Sequence, residues 1–226
     1  MGVVGESGSG KSTLARCIAR LITVSDGRVE ASGSDVAKLP NRSLSGYRRK
    51  LQMVFQDPYR SLNPRMTVAQ LIGEGMANIG LSQREANERT RRLLDLIGLD
   101  HSVTSRYPHQ FSGGQRQRIC IARALAMEPE ILIADEAVSA LDVSVQAQVL
   151  DLLEDLRSRL NLAVIFITHD LRVAARICDT VAVMHRGKIV EYGRAVDVFA
   201  APQHEYTKQL FAAAPGTDVL GQMVRH

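Results

Sequence analysis

The glycine-rich segment near the first residue constrains this chain more than any other feature. Residues 5–12 read Gly-Glu-Ser-Gly-Ser-Gly-Lys-Ser and fit the pattern G-x-x-x-x-G-K-[ST]. Glycines in this pattern let backbone N–H groups wrap around phosphate oxygens, at the positive end of the helix that follows. A flexible Gly/Ser-rich loop is the alternative, but Val3, Val4 and a following amphipathic helix favour a phosphate loop. Such a loop needs a strand to hold it, and residues 1–4 offer very little strand.

Four polar side chains at two places in the sequence fit phosphate and magnesium chemistry. Lys11 supplies a mobile cation to phosphate oxygens, and the hydroxyl of Ser12 is a ligand for Mg²⁺. Asp135 and Glu136 follow the apolar run Ile131–Ala134, which reads as a buried strand of a parallel sheet. Ligands of α/β proteins bind where such strands end, so Asp135 is a candidate for holding Mg²⁺ through water. Glu136 is a candidate for orienting or deprotonating the attacking water, and an acidic turn is the alternative for the pair.

Composition places the chain among globular proteins and excludes several function classes. Its 226 residues are 45% hydrophobic and 23% charged, which suits one large domain but not two. No apolar run approaches the ~20 residues of a membrane-spanning helix, and there is no signal peptide, so we expect a soluble intracellular chain. The three cysteines lack zinc-site or disulfide spacing. A net charge of +4 and 4% aromatic residues argue against nucleic-acid binding.

Hydrophobic periodicity predicts alternating strands and helices that are interrupted by a helical stretch. The predicted strands beyond residue 50 are Leu51–Gln56, Ile131–Ala134, Ala163–Thr168, Thr180–His185 and Lys188–Tyr192. A helix over Ser12–Ile22 follows the glycine-rich loop. Between residues 57 and 127 the patterns are helical, and the capping box Ser82-x-x-Glu85 opens a helix that Gly98 ends. The chain is therefore predicted to be α/β with a helical insert.

The segment Phe111–Arg118 is the most specific in the sequence. It reads Phe-Ser-Gly-Gly-Gln-Arg-Gln-Arg, in which Ser112 and the two glycines present N–H groups at a helix start. The cap of a core helix would explain the serine but not two glycines and a glutamine. The chain thus has two anion sites and a single triphosphate loop, which suggests that the second site meets the nucleotide of a partner chain.

Together these motifs resemble, in order and rough spacing, those of ABC transporter ATPases. The resemblance covers essentially the whole chain. The matching segments are Walker A at Gly5–Thr13, the Q-loop glutamine Gln56, the signature Phe111–Gln115, Walker B at Ile131–Glu136, the D-loop Ser139–Asp142 and the switch histidine His169.

The resemblance implies an α/β fold of the P-loop NTPase (RecA-like) class, with a parallel-sheet core and an inserted helical subdomain. Residues 1–226 would form a single ABC ATPase domain, with a catalytic core of residues 1–56 and 128–226. The helical subdomain, residues 57–127, would carry the signature. Family members have two strands and an adenine-stacking aromatic residue before Walker A, whereas the first aromatic residue here is Tyr47. We therefore expect the amino-terminal strands to be missing.

The resemblance also assigns the site residues and two ligands, ATP and Mg²⁺. The implied catalytic residues are Glu136, His169, Lys11 and Gln56. The implied nucleotide-binding residues are Gly5, Glu6, Ser7, Gly8, Ser9, Gly10, Lys11, Ser12 and Thr13, and the implied metal ligands are Ser12, Gln56 and Asp135. The signature residues expected to act in trans are Ser112, Gly113, Gly114 and Gln115, and those of the D-loop are Ser139, Ala140, Leu141 and Asp142. His169 would contact the γ-phosphate, and Gln56 would sense it and relay closure to a membrane subunit.

Three segments narrow the resemblance to the peptide/nickel importer subfamily: Val54–Pro64, Tyr107–Gln110 and Pro202–Thr207. It implies a subunit that couples MgATP hydrolysis at a dimer interface to import of peptides, nickel or related small solutes. The implied partners are a second ABC ATPase subunit, transmembrane permease subunits and, indirectly, an extracytoplasmic solute-binding protein, with no nucleic acid. The subunit would lie peripherally on the cytoplasmic face of the cell membrane. The solute and the choice between homodimer and heterodimer stay open.

A second hypothesis is an amino-terminally truncated nucleotide-binding module that pairs with a sister ATPase and hydrolyses little ATP itself. A DNA-repair or ribosome-associated ABC protein fits less well, because the chain has no coiled-coil insert and no second cassette. A P-loop kinase would not explain Phe111–Gln115. Ala137 stands where the family usually has proline, a change that reduces loop rigidity but removes no catalytic group.

Overall fold

The structure, a computed structural model, describes residues 1–31 and 33–213, which form two compact units. The first unit comprises Met1–Lys38, Ile133–Glu136 and the described residues from Val164 onward. The second unit comprises Leu39–Leu132 and Ala137–Ala163. The division into a catalytic core and a helical subdomain of residues 57–127 stays a prediction. Residues 214–226, which that prediction assigns to the core, lie outside the described residues.

Strands and helices alternate along the described chain as predicted. The strands are β1 Gly2–Val4, β2 Glu30–Ala31, β3 Ser34–Asp35, β4 Leu51–Val54, β5 Ile131–Asp135, β6 Ala163–Thr168, β7 Thr180–His185 and β8 Lys188–Arg194. The α-helices are α1 Lys11–Ile18, α2 Leu44–Lys50, α3 Pro58–Ser61, α4 Val68–Asn78, α5 Gln83–Leu96, α6 Gly113–Leu125, α7 Val143–Arg159, α8 Leu171–Ile177, α9 Ala195–Ala200 and α10 Glu205–Ala212. Short 3-10 helices span Val36–Lys38, Asn41–Ser43, His101–Ser105 and Pro108–Gln110.

The first unit is built on a mainly parallel sheet with strand order β5-β6-β1-β7-β8. Gly2 of β1 pairs in parallel with Phe166 of β6 on one side and Val181 of β7 on the other. Three residues therefore suffice for this strand, because both of its edges are hydrogen bonded and its valines are buried. Strands β7 and β8 form the predicted antiparallel hairpin, and Arg186 and Gly187 turn it with φ values of 47° and 79°.

The second unit is mainly helical around a largely apolar core. Strand β4 is hydrogen bonded to β5, whose first two residues belong to this unit. Helices α4, α5 and α6 pack together and bury Ile72, Leu94 and Ile119 completely. Each of these helices begins with a capping box, at Thr67, Ser82 and Ser112 respectively. The capping box predicted at Ser82 is therefore present, and the helix that it opens ends before Gly98 as expected.

Helix α1 is shorter than the predicted span Ser12–Ile22, because it ends at Ile18. Arg20 takes a left-handed conformation with φ 53°, and the N–H of Leu21 donates to the carbonyl of Arg16. This is the geometry of a Schellman-type helix end, which glycine usually provides. Without a glycine here, the amphipathic pattern runs past the point where the helix stops.

Among the helices of residues 1–31 and 33–213, none has both the length and the hydropathy needed to cross a membrane.

Helix α4 contains two glycines whose surroundings differ, and they offer a matched test of its packing. A Cβ at Gly73 would meet no atom within 4 Å, whereas a Cβ at Gly75 would lie 2.6 Å from Sδ of Met127. Gly73→Ala is therefore expected to raise the free energy of unfolding by about 0.5–1 kcal/mol, the usual gain inside a helix. Gly75→Ala should gain less, because Met127 must move. Urea denaturation midpoints measure both, and an equal gain would contradict the packing described.

Candidate functional site

The glycine-rich loop connects the end of β1 to the start of α1 in the first unit. Gly5 has φ 150°, and a Cβ at this position would overlap the carbonyl oxygen of Met184. Gly10, the N-cap of α1, has φ 104° in the left-handed region. A side chain at either position would be strained, so the two glycines of the pattern are required by close approach and by backbone conformation.

The ammonium group of Lys11 closes the loop on itself. Its Nζ donates to the carbonyl oxygens of Gly5 at 2.9 Å and Glu6 at 2.8 Å. The N–H of Ser9 donates to the same Glu6 carbonyl, and the Ser9 carbonyl accepts from Gly187. Burial lowers the pKa of Lys11, while the nearby charges of Glu136 and Asp135 act to raise it. The cation is thus held inside the loop, close to two carboxylates.

The loop carries donors suited to an anion. Lys11 and Ser12 begin α1, so their N–H groups have no acceptor within the helix. The hydroxyl of Ser9 is buried and, among the residues that the structure describes, has no hydrogen-bond partner. A buried polar group without a partner is costly, and a phosphate oxygen at this position would satisfy it. These features fit the phosphate groups of a nucleotide.

Ser12 and Asp135 meet at the carboxyl end of the sheet. The Oγ of Ser12 donates to Oδ1 of Asp135 at 2.9 Å. Burial raises the pKa of Asp135, with a further contribution from Glu136, against the opposing effects of Ser12, Arg16 and Lys11. A hydroxyl beside one carboxylate is the oxygen donor set that Mg²⁺ uses together with substrate phosphates and water. The residues present therefore fit a magnesium ion.

Glu136 and His169 complete the polar side chains of this unit's site. Oε1 of Glu136 lies 3.4 Å from Nδ1 of His169. Glu136 also has φ 48°, and its N–H donates to the carbonyl of Ile167 at 2.9 Å. A glutamate in the left-handed region is strained, and strain of this kind concentrates at functional sites. The backbone geometry is a second indication, independent of the sequence motif, that Glu136 has a functional role.

The signature residues lie at the start of α6 in the second unit. The N–H of Ser112 donates to Oε1 of Gln115 at 3.1 Å, and the N–H of Gln115 donates to Oγ of Ser112 at 3.3 Å. A Cβ at Gly114 would overlap Val145, and one at Gly113 would lie 3.3 Å from Leu141. Both glycines therefore allow the start of α6 to approach the D-loop and the start of α7 closely.

The other predicted residues of the second unit are exposed, except Leu141 of the D-loop, which is half-buried. Nε2 of Gln56 is 3.5 Å from Oγ of Ser139, the first D-loop residue. Asp142 caps α7 by accepting from the N–H of Val145, and a hydrogen bond from Ser144 lowers the pKa of Asp142. The structure thus brings the Q-loop glutamine to the D-loop within this unit.

The predicted site residues fall into two groups. Within the first unit the structure gathers the phosphate loop, Asp135, Glu136 and His169. Within the second unit it gathers Gln56, the signature and the D-loop. The roles assigned to these residues stay predictions.

Arg116 lies in the segment Phe111–Arg118, but the sequence pattern assigned no contact to it, and its packing role is visible only in the structure. Its guanidinium lies 3.8 Å from the ring centroid of Tyr59, and its Nε donates to the carbonyl of Pro108 at 2.7 Å. Arg123, two turns farther along α6, donates to the carbonyl of Ser61. These contacts join α6 to two other segments. One is the segment after Gln56, and the other is the segment before the signature.

The chain is similar to curated ATP-binding proteins over almost its whole length. It is 55% identical over 217 residues to y4tS of Sinorhizobium fredii, which is named as a peptide ABC transporter ATP-binding protein. It is 49% identical over 221 residues to the oligopeptide transport ATP-binding protein OppF of Bacillus subtilis. Each alignment covers 96% of this chain, but only 62% of the Sinorhizobium protein and 72% of OppF.

Two solved structures resemble this fold closely. One is a dimeric ATP-binding cassette in a post-hydrolysis state bound to ADP and Pi, with TM-score 0.76 and 30% identity over 86% of this chain and 84% of that chain. The other is cbiO1 from Clostridium perfringens, part of the ABC transporter complex cbiONQ, with TM-score 0.81 and 28% identity over 100% of this chain and 86% of that chain. These similarities confirm the predicted P-loop NTPase fold class.

The family model described as ABC transporter matches residues 1–139, which include the phosphate loop, the signature and Walker B. This match and the similarity to ATP-binding subunits confirm the family that the sequence motifs predicted. The chain belongs to the ABC transporter family, among its ATP-binding proteins.

Proposed function

We propose that this chain is the ATP-binding and ATP-hydrolysing subunit of an ABC importer for peptides. The observation that carries this proposal is the gathering of Lys11, the Ser12–Asp135 pair and the Glu136–His169 pair in one unit. The relatives named for peptide and oligopeptide transport support peptides as the solute class. Import of nickel or a related small solute rests on the resemblance of the motifs alone.

The phosphate loop binds the triphosphate through backbone N–H groups and Lys11. The Lys11 ammonium has three donors, and exchanging a loop carbonyl for a phosphate oxygen would place it against the β- and γ-phosphates. Its pKa, lowered by burial, would rise again beside a phosphate, so the cation would remain charged. Binding therefore relieves an electrostatic cost of the ligand-free loop.

Ser12 and Asp135 would hold the metal in this proposal. When bound, Mg²⁺ neutralises charge on the β- and γ-phosphates and orients them. The hydroxyl of Ser12 and the carboxylate of Asp135 would supply protein oxygens to the ion. The hydrogen bond between these two side chains at 2.9 Å orients both oxygens before the metal arrives.

Glu136 and His169 act on the attacking water and the γ-phosphate. The water oxygen forms a bond to the γ-phosphorus while the bond from that phosphorus to the bridging oxygen breaks, and ADP leaves. The carboxylate of Glu136 accepts the proton of the water. His169, 3.4 Å from Glu136, orients this carboxylate and contacts the γ-phosphate.

The signature acts on the nucleotide of a partner subunit. Ser112, Gly113 and Gln115 would complete that subunit's site, and the D-loop would line the same interface. The dimeric state of the solved neighbour bound to ADP and Pi supports this arrangement. Permease subunits would hold the ATPase pair at the cytoplasmic face of the membrane and receive the Gln56 signal, and a solute-binding protein would deliver the peptide outside. The chain would act as one ABC ATPase domain with its helical subdomain at residues 57–127.

Replacing Glu136 tests the hydrolytic mechanism. Glu136→Gln keeps the size of the side chain but cannot accept the proton, so the ATPase rate should fall about a hundredfold or more. MgATP binding, measured by titration calorimetry, should persist because Glu136 is not part of the phosphate loop. The exposed Glu74 on α4 supplies the control Glu74→Gln. Equal rates for Glu136→Gln and the wild type would contradict the mechanism, and binding without turnover in the wild type would favour the non-hydrolysing module.

Mixing two inactive variants tests the action of the signature in trans. Lys11→Ala removes the phosphate cation, and Ser112→Asp keeps an N-cap side chain but places a negative charge against the partner's γ-phosphate. In a mixed dimer one site carries both defects and the other carries neither. Equal mixing of a self-pairing chain should therefore restore about a quarter of the wild-type rate. No recovery above the separate variants would contradict the arrangement.

Asp135→Asn tests the electrostatic cost of the metal site. Because its pKa is raised in the folded state, ionised Asp135 destabilises the fold above that pKa, and the cost vanishes below the unfolded value of about 3.9. Without nucleotide, the variant should melt at a higher temperature than the wild type at pH 8, and this advantage should shrink as the pH falls towards about 4. The Mg²⁺-dependent stabilisation by ATP should be lost.

The exposed Asp151 on α7 provides the matched variant Asp151→Asn. It should show neither the pH-dependent gain nor the loss of the Mg²⁺ effect. A lower melting temperature of Asp135→Asn at pH 8 would mean that the attraction of Lys11 and Ser12 outweighs the cost of burial.

A further inference from the structure

The segment Pro202–Thr207, which leads into α10, is anchored on strand β8. The carboxylate of Glu191 accepts from the N–H groups of Gln203 at 2.8 Å and His204 at 3.0 Å. Burial alone would raise the pKa of Glu191, but hydrogen bonds that include these two lower it. Nδ1 of His204 in turn accepts from the N–H of Tyr206. The segment therefore has a defined conformation that places Tyr206 at the start of the helix.

Tyr206 reaches the phosphate loop from the opposite end of the chain. Its ring is buried and stacks on His185 at the end of β7, with centroids 3.8 Å apart and planes at 8°. Its hydroxyl oxygen accepts from the N–H of Glu6 at 3.2 Å. The stack on one side and the anchored segment on the other leave the hydroxyl little freedom to move away from the loop.

The contact helps to fix the two peptide units that flank the Cα of Glu6, because Tyr206 holds the N–H of the Gly5–Glu6 unit while Lys11 holds its carbonyl. The Glu6 carbonyl accepts from Lys11 Nζ at 2.8 Å and from the N–H of Ser9 at 3.2 Å. With its N–H bound to Tyr206, Glu6 cannot rotate without breaking hydrogen bonds on both sides. Without the hydroxyl, the N–H of Glu6 would lose its acceptor, and any part of the loop that had to be ordered upon binding would reduce affinity.

We propose that Tyr206 is a positioning residue for the phosphate loop, which it preorganises through the backbone N–H of Glu6. The proposal rests on the proposed binding of ATP by this loop. Tyr206 acts through Glu6 and touches no reacting atom, so it affects binding of the triphosphate and leaves the chemical step unchanged. Adenine plays no part in the contact.

Tyr206→Phe tests the proposal, because it removes the hydroxyl and keeps the stacked ring. A single hydrogen bond of this kind corresponds to about a three- to tenfold loss of affinity. The dissociation constants of MgATP and of magnesium tripolyphosphate, which lacks adenine, should both rise by this factor. KM for ATP should rise similarly while kcat stays within about twofold. Tyr192→Phe, on an exposed tyrosine of β8, is the matched control and should change neither constant.

Three outcomes would overturn the proposal. The first is a dissociation constant of Tyr206→Phe equal to that of Tyr192→Phe. The second is a loss of thermal stability without any loss of affinity, which would mean a purely structural role. The third is the absence of MgATP binding by the wild-type chain, which would also contradict the proposed function, whereas the first two leave that function standing.

A second variant covers the case in which Tyr206→Phe does not fold. Glu191→Gln keeps Tyr206 but replaces the carboxylate that holds Gln203 and His204. Weaker binding of both MgATP and magnesium tripolyphosphate would support the proposal. Unchanged binding of both by the folded variant would overturn it.

Discussion

The parallel pairing of a three-residue strand on both of its edges is the constraint on which the rest of the site depends. Strand β1 lies between β6 and β7, and its register sets Val4 beside Thr168 and Val183. Because parallel strands end at the same edge, this register brings the phosphate loop to the edge where β5 and β6 end. The same edge therefore carries the three side chains Asp135, Glu136 and His169.

The site that results is electrostatically costly without its ligand. A buried lysine with a lowered pKa, a buried aspartate with a raised pKa and a glutamate in a left-handed conformation lie within one unit. The polar hydroxyl of Ser9 adds a buried donor without a partner in the described chain. Groups of this kind destabilise the ligand-free protein, and phosphate and Mg²⁺ relieve the cost upon binding. Part of the free energy of nucleotide binding thus comes from removing a destabilisation of the ligand-free protein.

Local patterns predicted the elements well, because capping boxes, buried strands and turn glycines depend on neighbours in the sequence. The helix at Ser82 and the hairpin at Arg186 are examples. The end of α1 was predicted wrongly, since Arg20 adopts a conformation that glycine usually marks. The strained backbone of Glu136 and the hydrogen bond from Glu6 to Tyr206, 200 residues away, depend on tertiary packing, which periodicity does not encode.

The contacts that Arg116 and Arg123 make with the segment after Gln56 have a mechanical consequence. Tyr59 and Ser61 lie three and five residues after Gln56, and both contact α6 at points spaced along its length. Two attachments prevent the segment from pivoting about either one. A displacement of the segment at Tyr59 would thus be shared by α6, whose N-cap is Ser112.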